Sequence, residues 1–247
     1  MALLLLLITG FIASVLGALS GFGVSVVMMP VLALAIGERD AVPALTIATL
    51  VGNLSRVWFN REALRLSAAG WYLLGAAPAA ALGGILFAKA PERLIAVLMA
   101  AFLFGAVVYR NWRKRASKAP RDPMPERRLA TVGLFTGMVS ALVGGAGPLV
   151  VPFFLAAGLT KSAFIGTEAL AAAGVHIVKL LAYGGARAMS SVSLWVGAVT
   201  APAIIAGAWS GKRITDRVSE RTFTLIVEGM MIVAALLLLA RAGRWLH

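Results

Sequence analysis

The sequence predicts an all-α fold, a polytopic transmembrane helical bundle made of two inverted repeats. Each repeat opens with a broken, hairpin-like segment and continues with three spanning helices, roughly eight to ten helical segments in all. Three observations carry this reading. The apolar runs are continuous and long, one basic polar stretch divides them into two halves, and motifs in the first half recur in the second.

Of the 247 residues, 60% are hydrophobic and 13% charged, and the mean hydropathy is +0.91. An ordinary soluble domain is about half apolar and about a quarter charged. A water-soluble fold of this composition would expose large apolar patches, which a bilayer accommodates. At that depth every backbone amide needs an internal partner, so helices or a closed barrel are the options. Continuous rather than alternating apolar runs select helices. The net charge of +13 does not indicate nucleic acid, because the basic residues lie between apolar runs and not in a patch interleaved with aromatics. Excess Lys and Arg in cytoplasmic loops explains it. With no cysteine and two histidines, disulfides, thiolate metal sites and a cysteine nucleophile are excluded, and no metal or other cofactor is expected.

The apolar runs fall at 2–36, 41–59, 69–88, 92–110, 129–158, 162–183, 190–209 and 219–241. The stretch 110–128, RNWRKRASKAPRDPMPERR, holds ten charges and three prolines and reads as a linker. The expected organisation is therefore repeat 1 over 1–110, a basic cytoplasmic linker over 111–128, and repeat 2 over 129–247. Across the linker, GFGVSVVMMP (21–30) faces VGGAGPLVVP (143–152), and GWYLLGAAPAAALGG (70–84) faces LWVGAVTAPAIIAGA (194–208). The second match pairs Trp71 with Trp195, Pro78 with Pro202 and Gly83 with Gly207 at one constant offset. Glu92-Arg93 likewise faces Glu220-Arg221. The apolar start, Met1 to Ser20, has no Lys or Arg before it, unlike a signal peptide, and belongs to the repeat.

Each half opens unusually. Residues 2–36 are too long for one span and are interrupted at Ser20-Gly21-Phe22-Gly23, and 129–158 are interrupted at Gly144-Gly145-Ala146-Gly147-Pro148. Glycine frees the backbone and proline removes a donor, so two short helices joined at a break are expected in each. Gly/Pro-interrupted segments at corresponding positions of two halves point to a transporter binding site. If each opening segment turns back on itself, each half crosses an odd number of times and the halves are inverted. Arg61, Arg65, the linker, Lys161, Lys212, Arg213, Arg217 and Arg221 then lie inside. Arg39, Lys89, Arg93, Arg187, Arg241 and Arg244 lie outside. The positive-inside rule prefers this arrangement.

The spans that follow the breaks carry the polar residues. Thr46, Thr49, Asn53 and Arg56 share one helical face, as do Glu168, His176 and Lys179. The repeat pairs Asn53 with His176 and Arg56 with Lys179. Charges within the hydrocarbon cost at least about 2.5–3.5 kcal/mol and face a bundle interior or a wet cavity. Snorkelling to the interface is the competing reading for both cations. A broken helix also leaves free N–H groups at the start of its second half, which attract anions. The candidate substrate-binding residues are therefore Ser20, Gly21, Gly23, Ser25, Asn53, Arg56, Gly144, Gly145, Gly147, His176 and Lys179, with hydroxyl support from Ser140. Close helix packing is the alternative role for the glycines. Glu168 and His176 are the proton-coupling candidates, Glu168 alternatively partnering Lys179. Glu228 reads equally as a pairing residue.

The duplicated segments GALSGFGVSVVMMPVLALAIG and ALVGGAGPLVVPFFLAAGLTKSAFIGTEAL, with the basic central loop, resemble the TauE/SafE family of sulfite/sulfonate exporters, also called the toluenesulfonate uptake permease group. The resemblance covers about residues 8–241. It implies a multi-pass inner-membrane carrier of small sulfur-containing or organic anions, such as sulfite, an organosulfonate or sulfoacetate, driven by an ion gradient. The expected partners are a small anionic substrate and the lipid bilayer, with a homodimer as an open option and no nucleic acid. An anion channel of the same architecture is the alternative, followed by a membrane-embedded enzyme, for which no nucleophile–base pair or metal cluster is visible. Gly211-Lys212-Arg213 lacks the glycine spacing of a phosphate-binding loop, so ATP-driven pumping is not supported.

Overall fold

The computed structural model describes residues 2–21, 23–91, 123–219 and 222. The expected span at 92–110, most of the linker, all but the start of the span at 219–241, Glu228 and the Glu-Arg match lie outside the described residues. Those described form helices joined by short turns: α1 (Ala2–Ser20), α2 (Gly23–Ile36), α3 (Glu38–Phe59), α4 (Leu66–Lys89), α5 (Leu129–Val143), α6 (Gly147–Ala156), α7 (Lys161–Gly185), α8 (Ser191–Val199) and α9 (Ala201–Arg217). Five stretches are long and apolar enough to cross a membrane: Leu3–Ser20, Arg39–Phe59, Leu66–Lys89, Lys161–Gly185 and Ser191–Arg217. The chain is a multi-pass membrane protein.

Both breaks fall where the glycines predict. Gly21 and Gly144 each have φ of 88°, a left-handed conformation that ends a helix and that glycine adopts without a Cβ penalty. After the first break the chain folds back. A Cβ at Gly17 would lie 3.0 Å from Val24, and one at Gly10 3.8 Å from Met28 Sδ, so α2 retraces α1 in the opposite direction. After the second break α6 returns to the approach to α5, where Met124 N–H donates to Ala156 O at 2.7 Å. The expectation of two short helices in each opening segment is met by α5 and α6 but not by α1. Its 19 residues rise about 28 Å, enough to span, because nothing in the run 2–20 interrupts the ladder.

The run at 190–209 lies within one stretch long enough to span, Ser191–Arg217, as expected. Pro202 has no N–H to continue the ladder of α8, so the helix is interrupted at Thr200, where Thr200 N–H still donates to Val196 O and Ile204 N–H to Thr200 O, and continues as α9 to Arg217. Lys212, Arg213 and Arg217, expected in a loop, occupy the last turns of this helix.

Two tight helix pairs join the halves. In one, α4 meets α5: a Cβ at Gly75 would run into Ala130 O, one at Gly137 into Ala76 O, and one at Gly83 would lie 2.9 Å from Met138 O. In the other, α9 meets α1: a Cβ at Gly207 would lie 2.5 Å from Phe11 O and one at Gly211 2.5 Å from Ala18 Cβ. Where lipid is as apolar as leucine, backbone approach through small residues is what holds helices together.

The basic residues separate toward two ends. At one, Arg65 N–H donates to Thr167 Oγ1 at 2.9 Å, Ser67 Oγ donates to Glu126 Oε2 at 2.6 Å, and Lys212 Nζ reaches Ser162 Oγ at 3.4 Å. Arg61, Arg65, Arg127, Arg128, Lys161, Lys212, Arg213 and Arg217 belong to these segments. At the other end Arg39 donates to Ala88 O at 3.2 Å, beside Lys89, and the Tyr183 ring lies 5.1 Å from that of Phe87, four residues before Arg187. Two tryptophan–arginine stacks mark the more basic end, Arg61 over Trp58 at 4.5 Å and Arg213 over Trp209 at 3.6 Å. Exposed Trp paired with Arg suits the membrane–water interface.

Candidate functional site

The apolar background of α3 and α7 makes their polar stripes costly unless they face one another, and they do. Asn53 and Arg56 from α3 meet Glu168 and His176 from α7 around a cavity of about 40 Å³, closed by the two breaks through Gly21, Ser25, Gly145 and Gly147. At about 10–15 Å³ per water, this holds a few waters or one small ion. Arg56 is 5% exposed and Lys179 0%, so neither snorkels.

Arg56 ties the site together. Its Nη1 donates to Gly17 O and Gly21 O, both at 2.9 Å, and its Nη2 donates to Asn53 Oδ1. Nη1 also lies 3.6 Å from Glu168 Oε2. The ion pair of Glu168 thus runs to α3, and the alternative pairing with Lys179 is not made. Lys179 instead donates to Gly144 O at 3.2 Å and Ser140 Oγ at 3.4 Å. Both cations therefore sit on carbonyls at the C-terminal end of a broken helix, where the dipole is negative. Neutralising that end leaves the N-terminal ends of α2 and α6, with their partial positive charge, as the uncompensated pole of each break.

Among the described residues, three buried polar atoms at the cavity have no hydrogen-bond partner: Arg56 Nε, Glu168 Oε2 and His176 Nδ1. An unpartnered buried polar atom is expensive unless water or a ligand completes it. Arg56 occupies the Asn53 carbonyl oxygen, leaving the amide as the donor this side chain offers.

Of the predicted residues, Gly21, Ser25, Asn53, Arg56, Ser140, Gly145, Gly147, Glu168 and His176 line the cavity. Four do not. Ser20 Oγ donates to Leu16 O at 2.8 Å. Gly23 is pressed against the backbone of Gly17 and Leu16, so its smallness serves the hairpin. Gly144 and Lys179 form the strap behind the second break. The site also contains Tyr72 of α4, whose hydroxyl pairs with Thr136 Oγ1 at 2.9 Å. In the sequence it is one aromatic residue in an apolar run. The signal available was that a buried tyrosine hydroxyl needs a polar partner, which does not say where that partner stands.

A family model described as sulfite exporter TauE/SafE matches residues 6–238. No curated protein and no solved structure matches the chain.

Proposed function

The chain belongs to the TauE/SafE family of transporters, which are not enzymes, and we propose that it carries a small sulfur oxyanion across the cell's inner membrane. Sulfite is the first candidate, with a compact organosulfonate such as sulfoacetate next. The carrying observation is the pair of helix breaks that present their N-terminal ends to one cavity while Arg56 and Lys179 neutralise the opposite ends. Backbone N–H groups at a helix start bind oxyanions, and Arg56, Asn53, Ser25 and His176 add side-chain donors.

The halves 1–110 and 129–247 act as inverted repeats that rock about this site to give alternating access. Recurrent contacts support the repeat. Arg56 and Lys179 each reach back 35 residues to the left-handed glycine and 39 residues to the preceding turn. The inversion is supported by the breaks' surroundings. Gly21 lies against Phe164 near the basic end, whereas Gly144 lies against Val42 and Leu45 near the opposite one. The basic end faces the cytoplasm. Glu168 and His176, the titratable groups at the cavity, couple transport to protons.

The test is sulfite flux in proteoliposomes. Saturation and counterflow, with acceleration by a proton gradient, are expected of the carrier. Flux that rises linearly with concentration and shows no counterflow would make the protein a channel.

A further inference from the structure

The two breaks differ in the residue that covers the left-handed glycine from the opposite half. A Cβ at Gly21 would lie 3.3 Å from Glu168 Oε2, and a Cβ at Gly144 would lie 3.4 Å from Leu45 Cδ2. Glu168 and Leu45 are thus counterparts, each the α7 or α3 residue that covers the other half's left-handed glycine. The first break has a carboxylate over its glycine and the second has a leucine. Arg56 is correspondingly paired with an acid at 3.6 Å, while Lys179 meets only Ser140 and Gly144 among its described partners.

The Glu168 carboxylate is itself a small oxyanion in the anion cavity. Its Oε2 lies 3.6 Å from Arg56 Nη1, beyond hydrogen-bond distance, and neither this oxygen nor Arg56 Nε has a partner among the described residues. The guanidinium is therefore held firmly by the Gly17 and Gly21 carbonyls and only loosely by the acid. A ligand that reached Nε would complete it, which the carboxylate does not.

Resting on the anion-transport reading, we propose that Glu168 is a tethered competitor of the substrate. The carboxylate and the transported oxyanion share Arg56 one at a time, and a single proton taken up by Glu168 releases the site. Because one of the two symmetric positions carries an acid and the other Leu45, one carboxylate is displaced per anion bound. The charged and titratable groups around Glu168 are Arg56 on α3, Tyr72 on α4, and His176 and Lys179 on its own helix. The other helices at the cavity, α2, α5 and α6, contribute none among the described residues.

A tethered competitor and a merely structural acid predict opposite signs. Sulfite binding is measured by calorimetry on the purified full chain at pH 6 and pH 8. Sulfite itself passes from its singly to its doubly charged form over this interval, in wild type and variants alike, so competition is read from their affinity ratio at each pH, which an ionising carboxylate widens by up to about tenfold per pH unit. Glu168→Gln should bind sulfite about tenfold more tightly than wild type at pH 8, with the gap closing at pH 6. Glu168→Leu, which copies Leu45, should do the same. Glu168→Asp keeps the charge but withdraws it by one methylene, and should give an intermediate gain with the pH slope retained. Sulfite affinity equal to or weaker than wild type in the folded Gln and Leu variants overturns the shared-cation proposal and leaves the anion site standing. Absence of sulfite binding in wild type and all variants overturns the proposed function and this inference with it.

Discussion

Arg56 and Lys179 make the same bond from opposite halves of the chain: each donates to the carbonyl of a left-handed glycine 35 residues before it, Gly21 at 2.9 Å and Gly144 at 3.2 Å. A buried carbonyl at the end of an interrupted helix needs a donor, and a cation there also opposes the helix dipole. Beyond that shared task the two differ. Arg56 is long and forked, so its guanidinium reaches the glycine carbonyls, Asn53 and the cavity together. Lys179 has one ammonium group, which the Gly144 strap occupies.

Neutralising the two cations should therefore have different consequences. Arg56→Gln removes a charged donor from the cavity and should weaken sulfite binding about ten- to a hundredfold, from roughly 1.5–3 kcal/mol for a charge-assisted bond. Arg56→Lys should restore only part of this, since a point charge cannot replace a planar fork. Lys179→Met leaves Gly144 O buried without its donor and should cost about 1–3 kcal/mol of stability, seen as a lower melting temperature in detergent. A loss of affinity in Lys179→Met with an unchanged melting temperature would put Lys179 back among the substrate ligands.

That division shows what the sequence carried and what it did not. Spacing alone placed Asn53 with Arg56 and His176 with Lys179 on polar helix faces, and the glycine breaks were visible because glycine adopts φ near 88° without a Cβ penalty. Periodicity fixes a residue's face but not the neighbour that face meets. For that reason the partner of Glu168 was open until the packing of α3 against α7 set it at Arg56. Tyr72 joined the site through the docking of α4 on α5 at Gly75 and Gly137, a contact between segments far apart in sequence. Gly23 and Gly145 looked equivalent because both flank a break, and only the direction in which their missing side chains would point separates them.

The glycines give the second prediction. A Cβ at Gly23 would meet Gly17 N and Leu16 C, backbone atoms that cannot step aside, whereas one at Gly145 would meet Ser25 Oγ at 2.8 Å and Ser25 Cβ at 2.9 Å, side-chain atoms of one small residue that must shift slightly to admit it. Gly23→Ala should reduce folded yield and melting temperature. Gly145→Ala should fold and lose sulfite affinity, because the methyl group enters the cavity. Normal binding by Gly145→Ala would show that the second break does not approach the anion.

The third prediction concerns orientation. The chain has no cysteine, so single cysteines report cleanly. Cysteines at Glu62 and Ser219, both exposed at the more basic end, should react with an impermeant maleimide only from the cytoplasmic side. A cysteine at Gly185, where a Cβ would meet nothing within 4 Å, should react only from the other. Labelling of Glu62 and Ser219 variants from opposite faces would refute the shared cytoplasmic end, and with it the inverted repeats.

His176 supplies the last prediction. The proposed repeat pairs it with Asn53, a neutral donor without a titrating proton, and its Nδ1 is buried beside the cavity with no hydrogen-bond partner among the described residues. Two roles fit a histidine there: proton carrier and neutral ligand. His176→Asn makes the second half resemble the first and keeps a donor while removing the titration. If the histidine is a ligand and Glu168 carries the proton, this variant should lose no more than a few-fold in sulfite affinity, in line with about 1 kcal/mol for a neutral hydrogen bond. Proton-driven accumulation in proteoliposomes should persist. If that accumulation disappears in His176→Asn while sulfite exchange continues, the proton travels on the imidazole. The double variant Glu168→Gln with His176→Asn then separates the two, since coupling carried by one group adds nothing when the other is also removed.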